Sequence, residues 1–470
     1  MRTNDIALVG LATMGQNLAL NMDRNGFAVI VCNRTWGRTE EFMAGPARET
    51  SIVAARDLKA CAASLTRPRK IFLMVKAGDA VDKLIDEIVP FLEPGDVIMD
   101  GGNSHFQDTE RRIRDLQGAG IFFLGVGVSG GEKGALLGPS IMPGGDRVGW
   151  GQVSSILESI AARSADGRPC TDYMGAGGAG HFVKMVHNGI EYAVMQLIAE
   201  TYDLLVRGHG YPDEQAAKIF RTWNRGPGSS YLLEITSHIL GTIDPSSGQP
   251  ILGSIVDAAG SKGTGLWTTQ TSLALGVPAP TITAAVEARL ISGLRAERLH
   301  AGALPGVLTN PEALSDGGDS LGQALLTATL MAYAQGFALL QAAEAAWSWG
   351  LDPVRIARVW REGCIIRAAF LDTLAEALSH PGLPNLLQAA TMRETFSRGG
   401  SHLRQAVALA ARQGVPAPAL ASSLAYYDAY RSARLPANLI QAQRDYFGYH
   451  GFERLDSPGT FHGPWNNERQ

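Results

Sequence analysis

The stretch KMVHNGIEY, Lys184 to Tyr192, carries five side chains able to do chemistry at helical spacing. Lys184, His187, Asn188, Glu191 and Tyr192 fall at i, i+3, i+4, i+7 and i+8, which crowds them into an arc of about 140°. Met185, Val186 and Ile190 fill most of the remaining surface, and the flanking GHFV and AVMQLIAE are mostly apolar, so the helix is expected to be central. Buried polar groups need partners or a ligand. Five on one face point to a pocket, with a self-satisfied polar network as the alternative.

Other segments offer groups that could serve the same pocket. Ser129-Gly130-Gly131 presents a hydroxyl and open backbone N–H groups to a carboxylate or hydroxyl, or is a flexible glycine loop. GSKGTGLW sets Lys262 and Thr264 in a glycine-flanked loop, suited to phosphate by charge and hydroxyl, or simply exposed. Arg289 lies in an otherwise largely apolar helical stretch, where a snorkelling surface arginine is the alternative. Arg444 and His450 stand in RDYFGYHGFER, whose aromatics could also just pack a tail.

A second constellation is a cofactor site. IALVGLATMG gives Gly10-x-Ala12-x-x-Gly15 directly after a strand-like run and opening a helix. Gly10 permits a tight turn, Ala12 lets the backbone approach a pyrophosphate at the helix N-terminus, and Gly15 permits close helix–sheet packing. The next strand ends in Asn33-Arg34-Thr35, about 20 residues beyond the loop, where an acidic residue would bind the ribose of NAD. Asn33 and Arg34 instead offer hydrogen bonds and positive charge to a 2′-phosphate, which reads as NADP. Two further loops follow strand-like runs, VKAG (Val75, Lys76, Ala77) and GGNS, in which Asn103 is placed to reach a ligand.

The elements that must position these residues follow from periodicity. In the first third, DIALVG, AVIVCN, KIFLMVK, DVIMDGG and GIFFLGVG read as buried strands separated by helical patterns. That rhythm predicts βαβ units and a parallel sheet. It stops near MGAGGAG, a hinge, beyond which Ala- and Leu-rich helical segments run with almost no strand signal. The expectation is an α/β Rossmann-like N-terminal domain (1–178), a large all-α domain (179–434) and an extended C-terminal tail (435–470).

Composition narrows the class. A chain of 470 residues exceeds one ordinary core. The net charge of −4 argues against a broad nucleic-acid or membrane surface. Four scattered cysteines without a CxxC pair suggest reduced thiols in a cytoplasmic protein, with no zinc site. No apolar run is read as approaching the ~18 residues of a membrane helix, and no signal peptide is visible.

Taken together, GLATMGQNLALNM, NRT, GGNSHFQDTERR, GVSGG…GPSIMPGG, GAGHFVKMVHNGIEY, SKGTGLWT and LPANLIQAQRDYFGYH resemble the 6-phosphogluconate dehydrogenase family, from about residue 5 into the tail. The resemblance implies an NADP-dependent oxidoreductase that converts 6-phospho-D-gluconate, a phosphorylated sugar acid, to ribulose 5-phosphate and CO2 without a metal. It assigns Lys184 as general base and Glu191 as general acid. It assigns Asn103, Ser129, Gly130, Gly131, His187, Asn188, Tyr192, Lys262, Arg289, Arg444 and His450 to the substrate. Gly10, Leu11, Ala12, Thr13, Met14, Gly15, Asn33, Arg34, Thr35, Val75, Lys76, Ala77 and Asn103 fall to the cofactor. Arg444 and His450 would reach the neighbouring subunit's site, which implies a homodimer.

Departures from the family pattern are local. Ser261 and Leu266 replace the Gln and second Lys of QKGTGKW. Lys133 stands where Glu is usual, and Leu136-Leu137 where Arg-Tyr is common. Two rival readings are a related β-hydroxyacid dehydrogenase with a non-phosphorylated substrate and a non-catalytic NADP-binding protein. The phosphate-type cations argue against the first, and retention of both Lys184 and Glu191 against the second.

Overall fold

Continuous apolar runs become strands buried on both faces. In β1 (Ile6–Val9), Ile6 and Leu8 enter one hydrophobic cluster while Ala7 and Val9 enter another, and β2 (Val29–Cys32) divides in the same way. A strand covered on both sides needs apolar residues at every position, which is why these runs do not alternate with polar ones. The computed structural model describes residues 3–306 and 316–465.

Helices alternate with the strands as expected. After β1 come α1 (Thr13–Arg24), β2, α2 (Trp36–Ala44), β3 (Val53–Ala54), α3 (Leu58–Ala63), β4 (Lys70–Leu73), α4 (Asp79–Ile88), β5 (Val97–Asp100) and α5 (Phe106–Gln117). Then follow β6 (Phe122–Ser129), α6 (Gly131–Leu137), β7 (Ser140–Gly145), α7 (Arg147–Ile160) and the 25-residue α8 (Ala179–Asp203). The sheet order is β3-β2-β1-β4-β5-β6-β7, with Leu8 opposite both Val31 and Phe72. The order reverses between β1 and β4, so a crevice opens there at the carboxyl ends of the strands.

Two strands of this sheet were not foreseen. Val53–Ala54 is too brief to show a period. SIMPGG, read only as part of a glycine-rich loop, is β7, six buried residues running antiparallel to β6. Its glycines serve close packing: a Cβ on Gly144 would stand 2.2 Å from the backbone nitrogen of Gly180 in α8.

Beyond α8 the described chain is helical up to its last turns. The order is α9 (Asp213–Trp223), α10 (Tyr231–Leu240), α11 (Thr264–Ala274), α12 (Pro280–Gly293), α13 (Arg295–Ala301) and α14 (Asp319–Trp347). Then come α15 (Pro353–Val359), α16 (Leu371–Leu378), α17 (Arg393–Gln413) and α18 (Pro418–Tyr430). The expectation that no segment is apolar enough for a membrane needs correction. By length and composition α14 could cross one, with a mean hydropathy of 1.3 over its best window. That window is 89% buried inside the protein, so α14 is a core helix whose apolar surface faces other helices. The central α8 packs on β6, β7, α11, α12 and α14.

The chain divides into two compact units, Met1–Ser423 and Leu424–Gln470. The second contains α19 (Ala437–Gly448) and a two-stranded ribbon of β8 (Phe452–Glu453) and β9 (Thr460–Phe461). Residues 435–465, read in the sequence as extended, are therefore organised. Buried Asp445 is their hub: its carboxylate accepts from the backbone N–H groups of Gly451 (2.9 Å) and Gly463 (2.8 Å) and from Trp465 Nε1 (2.7 Å).

Candidate active site

The polar stripe on α8 is buried as its sequence setting demands. Lys184, Asn188 and Tyr192 are each at most 7% exposed, and His187 is fully enclosed. Gly127 in β6 makes room, since a Cβ there would lie 2.4 Å from Lys184 Cβ. Lys184 Nζ donates to Asn188 Oδ1 at 2.8 Å and lies 3.2 Å from His187 Nδ1. His187 Nε2 meets Ser129 Oγ at 3.1 Å, bringing the end of β6 to the stripe. Glu191 follows one turn on, its carboxylate 3.7 Å from His187 Nδ1. Amine, imidazole, amide and carboxyl thus form one continuous row, with a hydroxyl at its side.

Burial sets the proton affinities of the row. Desolvation holds the Lys184 ammonium below the ordinary lysine range, opposed by the negative charge of Glu191. Desolvation likewise raises Glu191, opposed by the charges of Lys184 and Arg289. Glu191 keeps 22% of its side-chain surface, so water moderates its shift more than that of Lys184. His187 is pushed well down by burial and by Lys184, which keeps its ring neutral. An amine whose proton affinity is lowered and a carboxyl whose proton affinity is raised are the two groups acid–base chemistry requires.

The far end of the row is set by α11, α12 and the loop before them. Arg289 stacks over the Tyr192 ring, its guanidinium carbon 3.4 Å from the centroid, and its Nη1 donates to Gly260 O at 3.3 Å. Tyr192 OH donates to Ser261 Oγ at 3.3 Å, so the departure at Ser261 sits at the site. Lys262, next in that loop, is exposed, as are Lys133, Leu137 and Leu266. Gly130 and Gly131 both have positive φ and form the turn into α6. The sequence did not point to Ile365, whose N–H donates to Ser129 Oγ at 3.4 Å, nor to Trp360, whose ring meets His187 edge-on. Both come from a segment about 170 residues further on, with no local signature. Arg444 and His450 belong to the second unit, where both are exposed and Arg444 Nη1 donates to Gln441 Oε1 at 2.9 Å.

A cleft of about 1250 Å³ opens at the carboxyl ends of β1, β2 and β4. Gly10, Leu11, Ala12, Asn33, Arg34, Thr35, Val75, Lys76 and Ala77 all line it. Thr13, Met14 and Gly15 lie in the first turn of α1 and do not line it. Gly10 has φ +105°, and a Cβ on Gly15 would sit 2.0 Å from Gly10 O, so the turn is a cradle that only glycines can make. The start of α1 has no side-chain cap, which leaves its N–H groups for an anion. Asn33 Oδ1 accepts from Leu11 N at 3.1 Å and thereby holds the loop as well as facing the cleft. Arg38, Arg56, Lys59 and Lys83 add positive charge that the sequence reading missed. Arg56 is steadied by stacking on Trp36, 3.8 Å from the ring centroid. Asn103 is exposed in the loop after β5, where a Cβ on neighbouring Gly102 would stand 3.2 Å from Val75 O. Loops after β4 and β5 therefore touch. Among the described residues no group of three or more His, Cys, Asp or Glu side chains could hold a metal ion.

A doubly wound sheet with a cationic dinucleotide cleft, joined to a buried amine–carboxyl row on a central helix, defines a Rossmann-type dehydrogenase. Comparison with known proteins narrows this. Residues 180–465 match the 6-phosphogluconate dehydrogenase C-terminal domain, and residues 5–218 the NAD binding domain of 6-phosphogluconate dehydrogenase. The chain is 50% identical over 471 residues to the decarboxylating 6-phosphogluconate dehydrogenase of Synechococcus elongatus, covering 99% of this chain and 100% of that one. It is 48% identical over 472 residues to the NADP(+)-dependent decarboxylating enzyme of Bacillus subtilis, with coverage of 99% and 100%. The 6-phosphogluconate dehydrogenase of Plasmodium falciparum, solved in its apo form and in complex with its cofactor NADP+ and its substrate 6-phosphogluconate, superposes with a TM-score of 0.94. That match has 41% identity and covers 98% of this chain and 100% of that one. The chain belongs to the 6-phosphogluconate dehydrogenase family.

Proposed function

We propose that the chain catalyses the oxidative decarboxylation of 6-phosphogluconate to ribulose 5-phosphate and CO2, with NADP as hydride acceptor. The observation that carries this is the buried row from Lys184 to Glu191, its amine and carboxyl moved in opposite directions and its His187 bonded to Ser129 at the end of β6, a strand of the same sheet whose β1, β2 and β4 end at the cleft. NADP would be held by the Gly10–Ala12 turn, the Val75–Ala77 loop and Asn103, with Arg34 and Thr35 toward the 2′-phosphate. Bound, it supplies a hydride acceptor.

The chain's own groups carry the rest. Lys184, neutral when substrate arrives, takes the proton from the C3 hydroxyl as hydride leaves C3. The product is a β-keto acid whose carbonyl draws in the electron pair released with CO2. Lys184, now protonated, stabilises the negative charge that develops on that oxygen. Glu191 then delivers its proton to C1 of the enediol. Asn103, Ser129, Gly130, Gly131, His187 and Asn188 orient the sugar acid, and Tyr192, Lys262 and Arg289 turn to its phosphate end with Arg444 and His450. A non-phosphorylated substrate would leave those cations without a counter-charge.

Arg444 and His450 would come from the neighbouring subunit of a homodimer. The exposed leucines of α11 to α13 support such an interface: Leu273, Leu290 and Leu299 are each at least 63% exposed. The division into a cofactor part (1–178), a helical part (179–434) and a subunit-spanning tail (435–470) belongs to this reading, as does a cytoplasmic setting, which four free buried cysteines support.

Lys184→Met keeps the volume and removes the amine. It should lower kcat with 6-phosphogluconate and NADP by at least ~10²–10⁴, with the unfolding midpoint near that of the wild type. Near-normal turnover would remove Lys184 as the base.

A further inference from the structure

A single buried guanidinium joins the two loops of the cofactor side. Arg112 lies on α5, its side chain 1% exposed. Its Nη2 donates to Gly78 O at 3.2 Å, at the end of the Val75–Ala77 loop. Its Nε donates to Asp82 Oδ1 at 2.7 Å, in the first turn of α4. Its Nη1 donates to Asp100 Oδ2 at 3.2 Å, at the carboxyl end of β5. Asp100 is fully buried and shapes the next loop: Oδ1 accepts from Gly102 N at 3.0 Å, and Oδ2 from Ser104 Oγ at 2.6 Å. Asn103 stands between those two anchors.

The same assembly reaches α8. The backbone oxygen of Asp100 is 3.0 Å from Nε2 of fully buried His181, and His181 Nδ1 meets Thr109 Oγ1 at 2.6 Å. His181 lies one turn before Lys184 on α8. Gly125 admits its ring, since a Cβ there would be 2.7 Å from Nδ1. The contacts therefore run from the Val75–Gly78 loop through Arg112 and Asp100 to the Asn103 loop, and through His181 to the helix bearing Lys184.

We propose that Arg112 is a positioning residue for hydride transfer, one that fixes the loops around Val75–Gly78 and Asn103 against each other and against α8. The proposal rests on the reading of Lys184 as base and of the cleft as the NADP site. Arg112 is buried behind the loops and does not line the dinucleotide cleft. Its work is geometric: with two carboxylates and a carbonyl on one planar fork, small rotations of either loop are blocked. Lysine at this position keeps the charge that Asp100 requires but lacks the planar fork whose separate nitrogens span the three acceptors.

The test uses full-length Arg112→Lys, with Ser104→Ala as a milder change to the same assembly. NADP affinity is measured by titration, and turnover with 6-phosphogluconate carrying hydrogen or deuterium at C3. For Arg112→Lys, NADP binding should weaken about tenfold and kcat fall about tenfold to a hundredfold, the scale of an ångström-level displacement. The deuterium effect on kcat should rise as hydride transfer becomes slower than the steps around it, while KM for 6-phosphogluconate stays within about threefold. Ser104→Ala should move each quantity in the same direction by less. NADP affinity and isotope effects equal to wild type in both variants would overturn the proposal, whatever happens to the unfolding midpoint. Wild-type turnover, measured in the same series, tests the functional reading separately.

Discussion

At the scale of single residues, the site depends on opposed proton affinities in one row. Lys184 is held low by burial and partly restored by the charge of Glu191. A base must be deprotonated, so kcat/KM should rise with pH through the lowered Lys184 value. In the free enzyme, which kcat/KM reports, Glu191 favours the ammonium where it is ionised, and removing it withdraws that influence. In Glu191→Gln, the acid limb of the residual kcat/KM profile should therefore move to lower pH; an unmoved limb or an upward shift would contradict the coupling. The stripe that holds these groups was legible because a helix writes its faces at a period of 3.6 residues. The division of labour between Lys184 and Glu191 was not, since periodicity carries no roles and only the family resemblance supplied them. Arg112, Asp100 and His181 were invisible for another reason. Each looks ordinary in its own segment, and the contacts that pair them join residues 12 to 81 positions apart.

At the scale of elements, α8 is held from both ends. Its N-terminal turns lie against β6 and β7 through glycine contacts. Toward its C-terminal end, Glu200, 2% exposed, accepts from Ala419 N at 2.9 Å and Leu420 N at 2.8 Å, in the first turn of α18. Burial raises this carboxyl to about 7, against the pull of those N–H groups. The sign follows from linkage. A carboxyl with a raised folded value binds its proton more tightly when folded, so its contribution is complete below about 4.5 and is lost as pH rises through about 7. The loss is on the order of 3 kcal/mol at most. Glu200→Gln should accordingly flatten the fall in unfolding midpoint between about pH 5 and pH 8; parallel curves for the two proteins would contradict it. Most strands were readable as unbroken apolar runs, which two-sided burial requires. β7 was not, because Gly144 closes on α8 and Gly145 on β6, so that with Pro143 the strand ends in the usual letters of a loop.

At the scale of the whole molecule, a mostly parallel sheet and a helical body make up one compact unit and the C-terminal residues a second, and the proposed homodimer would share each site between two copies. Membership of the family gives the fold and the reaction class, and the proposed sharing makes its own prediction. In a dimer of Lys184→Met with Arg444→Ala chains, one of the two sites draws an intact Lys184 from one subunit and an intact Arg444 from the other. Mixing the two inactive variants, with dissociation and reassociation, should restore about a quarter of wild-type activity, the statistical yield of intact sites when subunits pair at random. No recovery from mixed dimers would mean that each site is built within one chain. The composition had suggested a chain without a membrane-length helix; α14 has that length and apolarity because a large helical body needs a helix buried all round.

The central claim is that one site performs both oxidation and decarboxylation on a phosphorylated sugar acid. The direct measurement supplies purified protein with 6-phosphogluconate and NADP and follows reduced cofactor and CO2 together. One CO2 should form for each NADPH, with ribulose 5-phosphate as the remaining product and gluconate inert as substrate. No turnover, or NADPH formed without CO2, would contradict it.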